Sequence, residues 1–412
     1  MQRMYLALGL AAVLSGCGTN ADTVSGLGST NHVVVIRKTQ LTLLDGAPVQ
    51  LVVGAVVTRK KETTNTGIYR QYEGSFSPND VIPIDDALAH FTEIIERDAK
   101  DAAAYRARGL VHSHQRRLDE AVRDYSRAIE CDPGFSGAYD SRANALLKMM
   151  EFDKALNDAK QSIALNAENP TAYTRCASIY SRRGEYAAAI AACSKALAYR
   201  SDYPAALMLR GLSYVNQGRF DAAIRDYDKL LTIAPMSPKA WNNRGHAYRR
   251  SGQQEKALSD LERALTIRPD YDLAIFNKAS VLFDMGRLTE AEECLAPLLS
   301  SQPTSPFRKR HLANGFALAS AMKVAANDGE EATRLALKGL ALDSTSGMVH
   351  HAVARSYLTQ GILDLALEHA NQAINLDGGA GSYYRTRSEI YRKFGDNIRA
   401  NQDLRSAEES LL

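Results

Sequence analysis

The chain has 412 residues, 45% of them hydrophobic and 24% charged, with 50 basic and 47 acidic side chains and a formal charge of +3. These fractions are ordinary for a soluble chain. So small a net charge gives neither the basic footprint of a nucleic-acid binder nor the patch of an electrostatic membrane binder.

At the amino terminus Arg3 precedes the apolar run Tyr5–Leu14, YLALGLAAVL. About ten apolar residues are too few to span a bilayer, which takes roughly 20, so the run reads as the core of a secretion signal. It ends in Leu14-Ser15-Gly16-Cys17, which resembles the lipobox of bacterial lipoproteins. That resemblance implies removal of residues 1–16 and two thioether-linked acyl chains on Cys17, with a third usually on its amine. More than one chain makes the anchor stable, because a single chain holds only marginally. Gly18, in place of aspartate, implies the outer membrane by the enteric sorting rule, with the protein facing the periplasm.

Residues 17–31 are small and polar, as a tether would be. Over 32–84 the periodicity changes to β-branched and aromatic runs, HVVVIRK, QLVVGAVVTRK and GIYRQY, separated by Asp45-Gly46-Ala47-Pro48 and Thr64-Asn65-Thr66-Gly67. The closing stretch 73–83, EGSFSPNDVIP, resembles the last turn and strand of bacterial SH3-like barrels, with Ser75 where the family has Trp. The resemblance implies a small all-β barrel. That module either caps the segment after it or binds a peptide or glycan.

From residue 85 to the carboxyl terminus one interval recurs. Ala87, Ala121, Ala155, Ala189, Ala223, Ala257 and Ala291 lie 34 residues apart, and after a gap of 41 Ala332, Ala366 and Ala400 resume the step. A second set keeps the same phase and holds only small residues: Gly109, Ala143, Ala177, Gly211, Gly245, Ala279, Ser320, Ala354 and Ser388. Small side chains let two antiparallel helices approach closely. Gly184, Gly218, Gly252, Gly286, Gly361 and Gly395 fall between the two sets, where a turn needs positive φ. With Trp241, Gly245, Tyr248, Gly252, Ala257, Leu261, Ala264 and Pro269 in order, the pattern resembles the tetratricopeptide repeat (TPR). The resemblance implies a mainly α fold, a right-handed solenoid of helix A and helix B hairpins. Nine full units begin near 102, 136, 170, 204, 238, 272, 313, 347 and 381, and a half unit covers 85–100. A solenoid grows by stacking, so its length does not demand several compact domains.

The seventh unit is degenerate. Seven extra residues enter around Ser301–His311, with Pro303, Pro306 and the run Arg308-Lys309-Arg310-His311, and read as a longer loop or an extra helical turn. Cys176 and Cys193 sit on facing helices of one unit and read as packing thiols, with a bridge as the alternative. His112 and His114, two residues apart on a helix, point in different directions, which argues against a metal pair. His350 and His351 read as a surface and packing pair.

No H-E-x-x-H, C-x-x-C, G-x-S-x-G, Walker loop or G-x-G-x-x-G occurs, and no segment of catalytic-domain size is left over, so the expectation is no enzyme, no cofactor and no metal. Function is expected on the inner face, at helix A positions that packing leaves free. Carried over from the family, these include Arg106, Asn144, Met208, Leu212, Asn242, His246, Arg249, Phe276, Phe283, Arg355, Arg385 and Arg392. Apolar anchors beside donors and a basic carboxyl-terminal cluster suit a peptide or protein partner bearing carboxylates. The residues of the family's carboxylate clamp are not supplied by any three consecutive units. The expected function is a membrane-anchored scaffold in envelope assembly. The alternative is a cell-wall module whose barrel binds peptidoglycan while the repeats recruit a wall enzyme.

Overall fold

The computed structural model describes residues 32–35, 39–43, 48–51, 56–59, 66–69, 72–75, 81–377 and 380–409. The signal, Cys17 and the tether lie outside them. Contacts separate two compact units, Val13–Leu209 and one containing Arg210–Leu412.

In the first unit seven strands form one sheet: β1 (His32–Val35), β2 (Thr39–Leu43), β3 (Pro48–Leu51), β4 (Val56–Arg59), β5 (Thr66–Tyr69), β6 (Tyr72–Ser75) and β7 (Val81–Pro83). Their order is β3-β2-β6-β5-β4-β1-β7, and every pair is antiparallel. Among the described residues no ladder joins β3 to β7, and these strands do not support the expected SH3-like barrel. The edge strand β7 runs straight into α1 (Ile84–Arg97) and lies against it. Val34 of β1 packs with Ile84, Ala87 and Phe91 of that helix and with Ala107 and Val111 beyond it. The sheet thus stands where the half repeat lacks a helix A.

Eighteen further helices follow as nine hairpins, helix A first in each. In the first unit these are α2 (Ala102–His114) and α3 (Leu118–Cys131), α4 (Ser136–Lys148) and α5 (Phe152–Leu165), and α6 (Pro170–Arg182) and α7 (Tyr186–Tyr199). The fourth pair is α8 (Pro204–Asn216) and α9 (Phe220–Ile233), and the second unit continues with α10 (Pro238–Arg250), α11 (Gln254–Ile267), α12 (Asp272–Asp284), α13 (Leu288–Leu299), α14 (Pro306–Ala325), α15 (Gly329–Leu342), α16 (Gly347–Thr359), α17 (Leu363–Asp377), α18 (Gly381–Lys393) and α19 (Asn397–Glu409). Local signals set the helix starts. Asp101, Asn169 and Ser237 cap α2, α6 and α10 through side-chain bonds to backbone N–H groups, and proline opens α6, α8 and α10.

All ten alanines of the 34-residue ruler are fully buried. The small positions of helix A meet helix B so closely that a Cβ added at Gly109 would stand 2.6 Å from Tyr125 Cε1. Each A–B turn contains one left-handed residue: six are the glycines of the repeat pattern, and Arg116, Met150 and Asn327 take the same conformation at φ 58–64°. The seventh repeat differs from the expected start near 313. Residues 306–311 of the extra stretch are helical, and α14 runs 20 residues because Ser305 accepts a bond from Arg308 N (3.2 Å) and Pro306 opens the first turn.

Candidate binding face of the helices A

Helices A of successive repeats touch one another within each unit (α2 with α4, α4 with α6, α10 with α12, α16 with α18), whereas neighbouring helices B scarcely do. The A side is therefore the inner, tighter face. Its polar residues follow a rule of 35: a residue faces the one a repeat plus one position further on. Arg106 Nε donates to Ser141 Oγ (3.1 Å) and to Gly137 O (3.0 Å). Asn277 Nδ2 donates to Asn242 Oδ1 (2.8 Å), Arg249 Nε to Asp284 (2.6 Å), and His351 Nε2 meets Thr386 Oγ1 (2.8 Å).

This rule changes what the inner face offers. Asn242, expected to be free, is 1% exposed and also bonds Asn243. Leu212 is buried as well, and Met208 is half-buried. Asn144 Oδ1 is taken by Arg175 Nη1 (2.7 Å). His246 is half-buried, and burial, reinforced by Arg250 and Arg249, pushes its imidazole down to about 4, so it is neutral at pH 7. Phe276 and Phe283 are half-buried against the core of repeats five to seven. Arg355, Arg385 and Arg392 are exposed and make no ion pair among the described residues. Cys17 lies outside those residues. The physical reason for the difference is spacing: sequence marks which residues face inward, but the crossing of adjacent helices A decides which of them find partners there.

Of the two histidines read as a surface and packing pair, His350 is buried and His351 half-buried. His350 Nδ1 lies 2.9 Å from His369 Nδ1, and its Nε2 is 3.1 Å from Ser344 O. Cys176 and Cys193 are buried and joined by no disulfide, so the bridge alternative falls, and burial pushes the Cys176 thiol up to about 11. Among the described residues no three His, Cys, Asp or Glu side chains come together as metal ligands.

Behind the inner face lies a recurrent clamp that the motif reading missed. Arg108, Arg142, Arg210, Arg244 and Arg387 each grip an aspartate 16 residues on (Asp124, Asp158, Asp226, Asp260, Asp403) through two bonds of 2.7–2.9 Å. The remaining nitrogen of Arg108, Arg142, Arg244 and Arg387 reaches the preceding helix B, at Thr92, Ser126, Asp228 and Asn371. One guanidinium so ties three helices. The spacing of 16 inside the 34-residue period was the available signal.

A second overlooked group is cationic. Arg175 and Arg182 lie two turns apart on α6, Asn144 and Lys148 one turn apart on α4, and Lys148 and Arg182 are 34 residues apart, at the same register. Arg182 is half-buried, makes no hydrogen bond or ion pair among the described residues, and its buried Nε has no acceptor. Burial alone lowers its pKa. Lys148 reaches solvent, yet burial of its ammonium, then Arg175 and Arg116, hold it below the usual lysine range.

Two tetratricopeptide-repeat family models match residues 84–134, 141–206 and 208–272, and 248–309, together just over half of the chain. No curated protein sequence matches it. Among solved structures, a tetratricopeptide repeat protein from Parabacteroides merdae is 18% identical, covering 65% of this chain and 99% of its own, with a TM-score of 0.51. The Cut9–Hcn1 hetero-tetramer of the APC/C is 17% identical over 80% of this chain and 60% of its own, with a TM-score of 0.50. Identities this low speak for the fold alone, and the fold agrees with the family models. With its period, its hairpins and these matches, the chain belongs to the tetratricopeptide-repeat family.

Proposed function

We propose that this protein is a lipid-anchored, non-enzymatic scaffold that holds a peptide or protein segment of an envelope partner against the inner face of its helices A. Proteins of this repeat family serve as protein-interaction scaffolds. The observation that carries the reading is the unspent chemistry of that face: Arg355, Arg385 and Arg392 are exposed without ion pairs among the described residues, in the same unit as the half-buried Phe276 and Phe283. Solvated guanidinium forks and apolar anchors spaced along one array are the donors and contacts an extended, carboxylate-bearing segment uses. The packing of Val34 against α1 favours the sheet as a cap of the half repeat over a ligand module.

Anchoring rests on Leu14-Ser15-Gly16-Cys17. No helix of the described residues is long and apolar enough to cross a membrane, and acyl chains on Cys17 would supply the attachment. Cys17→Ser is expected to leave the fold intact while releasing the protein from the membrane fraction or leaving it unprocessed. A processed, unlabelled variant that stays membrane-bound would show that protein contacts hold it.

The test of the inner face is photo-crosslinking in the native cell from benzoylphenylalanine placed at Arg355 or Arg385, with Glu262 on the exposed side of α11 as control. Adducts from the first two positions and none from the control are expected. Adducts from Glu262 alone would sink the reading.

A further inference from the structure

Repeat seven has lost the arginine clamp at each of its three corners, and those corners line an open pocket. The clamp takes its arginine from one residue before the small position of helix A. Its aspartate lies three residues after the ruler alanine of the same repeat, and its third partner five residues after the ruler alanine of the repeat before. In repeat five these corners are Arg244, Asp260 and Asp228. In repeat seven they are Ala319, Leu335 and Ala296. All three line a pocket of about 200 Å³ between α13, α14 and α15. Repeats six and eight, which also lack the clamp, each keep a polar contact at one of its corners. Lys278 pairs with Glu262 (3.1 Å), and His369 meets His350 (2.9 Å).

The wall of the pocket is apolar. Leu295, Met322 and Leu335 are buried, and Leu299 is half-buried. Such a wall gives a water molecule few partners, whereas roughly 150 Å³ of apolar space accepts one benzene-sized ring. The Met322 thioether adds a soft contact that favours an aromatic guest.

The mouth is acidic. Glu292 and Glu331 border it together with Lys323, which bonds Glu292 (2.7 Å), while Arg334 holds Glu331. Glu293 and Glu330, their neighbours in the chain, are exposed and make no ion pair among the described residues. Four carboxylates of α13 and α15 thus stand against the two cations that engage them.

We propose that the pocket between α13, α14 and α15 binds the aromatic side chain of a partner segment that carries basic residues beside it. The ring fills the space bordered by Ala296 and Ala319, and the flanking cations face the carboxylates left unpaired around the mouth. This goes beyond the reading of the inner face. The site is built with helices B, takes a partner of the opposite charge, and does not need Arg355, Arg385 or Arg392.

The experiment uses the full chain and the peptide acetyl-Lys-(para-fluoro-Phe)-Lys-amide, with acetyl-Glu-(para-fluoro-Phe)-Glu-amide as its counterpart, titrated by fluorine NMR. The basic peptide should bind more tightly than the acidic one, by a margin that shrinks with salt. Cationic inner-face residues repel it, so its binding does not report on that face. Ala319→Leu, which plugs the pocket, should lose about tenfold or more in affinity, the burial of one apolar side chain withheld. Its urea midpoint should hold or rise, because arginine occupies the same register in five other repeats and filling apolar space stabilises. Ala296→Leu plugs from α13 and is read in the same way if Ala319→Leu unfolds early. Glu292→Gln with Glu331→Gln should erase the preference between the two peptides, and Lys256→Gln, on the exposed side of α11, should change nothing. No binding of the basic peptide by the wild type, equal binding by the wild type and the plugged variants, or an acidic peptide that binds as well as the basic one would overturn the assignment. Crosslinks at Arg355 and Arg385 are read elsewhere in the array, so either result can fail while the other stands.

Discussion

Repeats one, two and five, compared with repeats six to eight, show two ways to build the same hairpin. In the first group an arginine of helix A grips an aspartate of helix B, Arg108 with Asp124, Arg142 with Asp158, Arg244 with Asp260. In the second group both members are gone together: Lys278 stands opposite Cys294, Ala319 opposite Leu335, Val353 opposite His369. Lys278 turns instead to Glu262 (3.1 Å), and His369 to His350. The comparison teaches that the clamp exists as a pair or not at all. A lone buried charge is heavily penalised, whereas an apolar pair of similar size is tolerated. Apolar replacement also costs something in shape. Ala319 and Leu335 line an open pocket of about 200 Å³ with Leu295 and Met322, and Glu292, Lys323 and Glu331 also border it.

Breaking the comparison on the clamped side should give the largest effect. Arg244→Ala leaves Asp260 buried and unpaired and should destabilise by about 3–5 kcal/mol, spreading to neighbouring repeats because each stabilises the next. The double change Arg244→Leu with Asp260→Leu, which imitates repeat seven, should recover most of that loss in urea unfolding. Equal cost for the single and double variants would show that the ion pair itself, and not the avoided orphan, sustains the repeat.

Acid should act next, and mainly on the second unit. His246, His311 and His351 are each held down to about 4 by burial. A base with a depressed folded pKa is neutral when folded and protonated when unfolded between about 6.5 and 4, so stability falls as pH drops through that window and levels below it. For His311, 4% exposed, the slope is about 1.4 kcal/mol per pH unit. Solvent screening makes the half-buried pair contribute less. Urea midpoints of the full chain at pH 7.5 and 5, with His311→Gln as comparison, check this. A variant as acid-sensitive as the parent would exclude His311 as a source.

Overpacking the close approach should cost less. Gly109→Ala places a Cβ 2.6 Å from Tyr125 Cε1 in a fully buried contact, for about 1–3 kcal/mol. The smallest change expected is a gain. Ser320 occupies the same position in repeat seven with a buried, unpartnered Oγ, and Ser320→Ala should stabilise by roughly 1 kcal/mol. A loss on either thermal or urea unfolding would mean that the hydroxyl has a partner in solution.

Much of the fold was written in the chain's own periodicity. Ala87 to Ala400 and the small positions from Gly109 to Ser388 fixed the hairpins, their phase and all but one helix start, because close helix packing tolerates only small side chains at one place per turn of the repeat. The left-handed turns were equally legible where glycine occupies them. Arg116, Met150 and Asn327 were not, since an L-residue there is held by the hairpin around it rather than chosen by its own preference. Tertiary structure alone decided which inward residues are spent. Asn242 looked like a ligand donor and is an interior bond between helices, while Arg182, at the end of a helix and in no motif, is left without an acceptor. Sequence spacing assigns a residue to a face. Whether its polar group is satisfied depends on what the next helix, 34 residues away, happens to place within 3 Å.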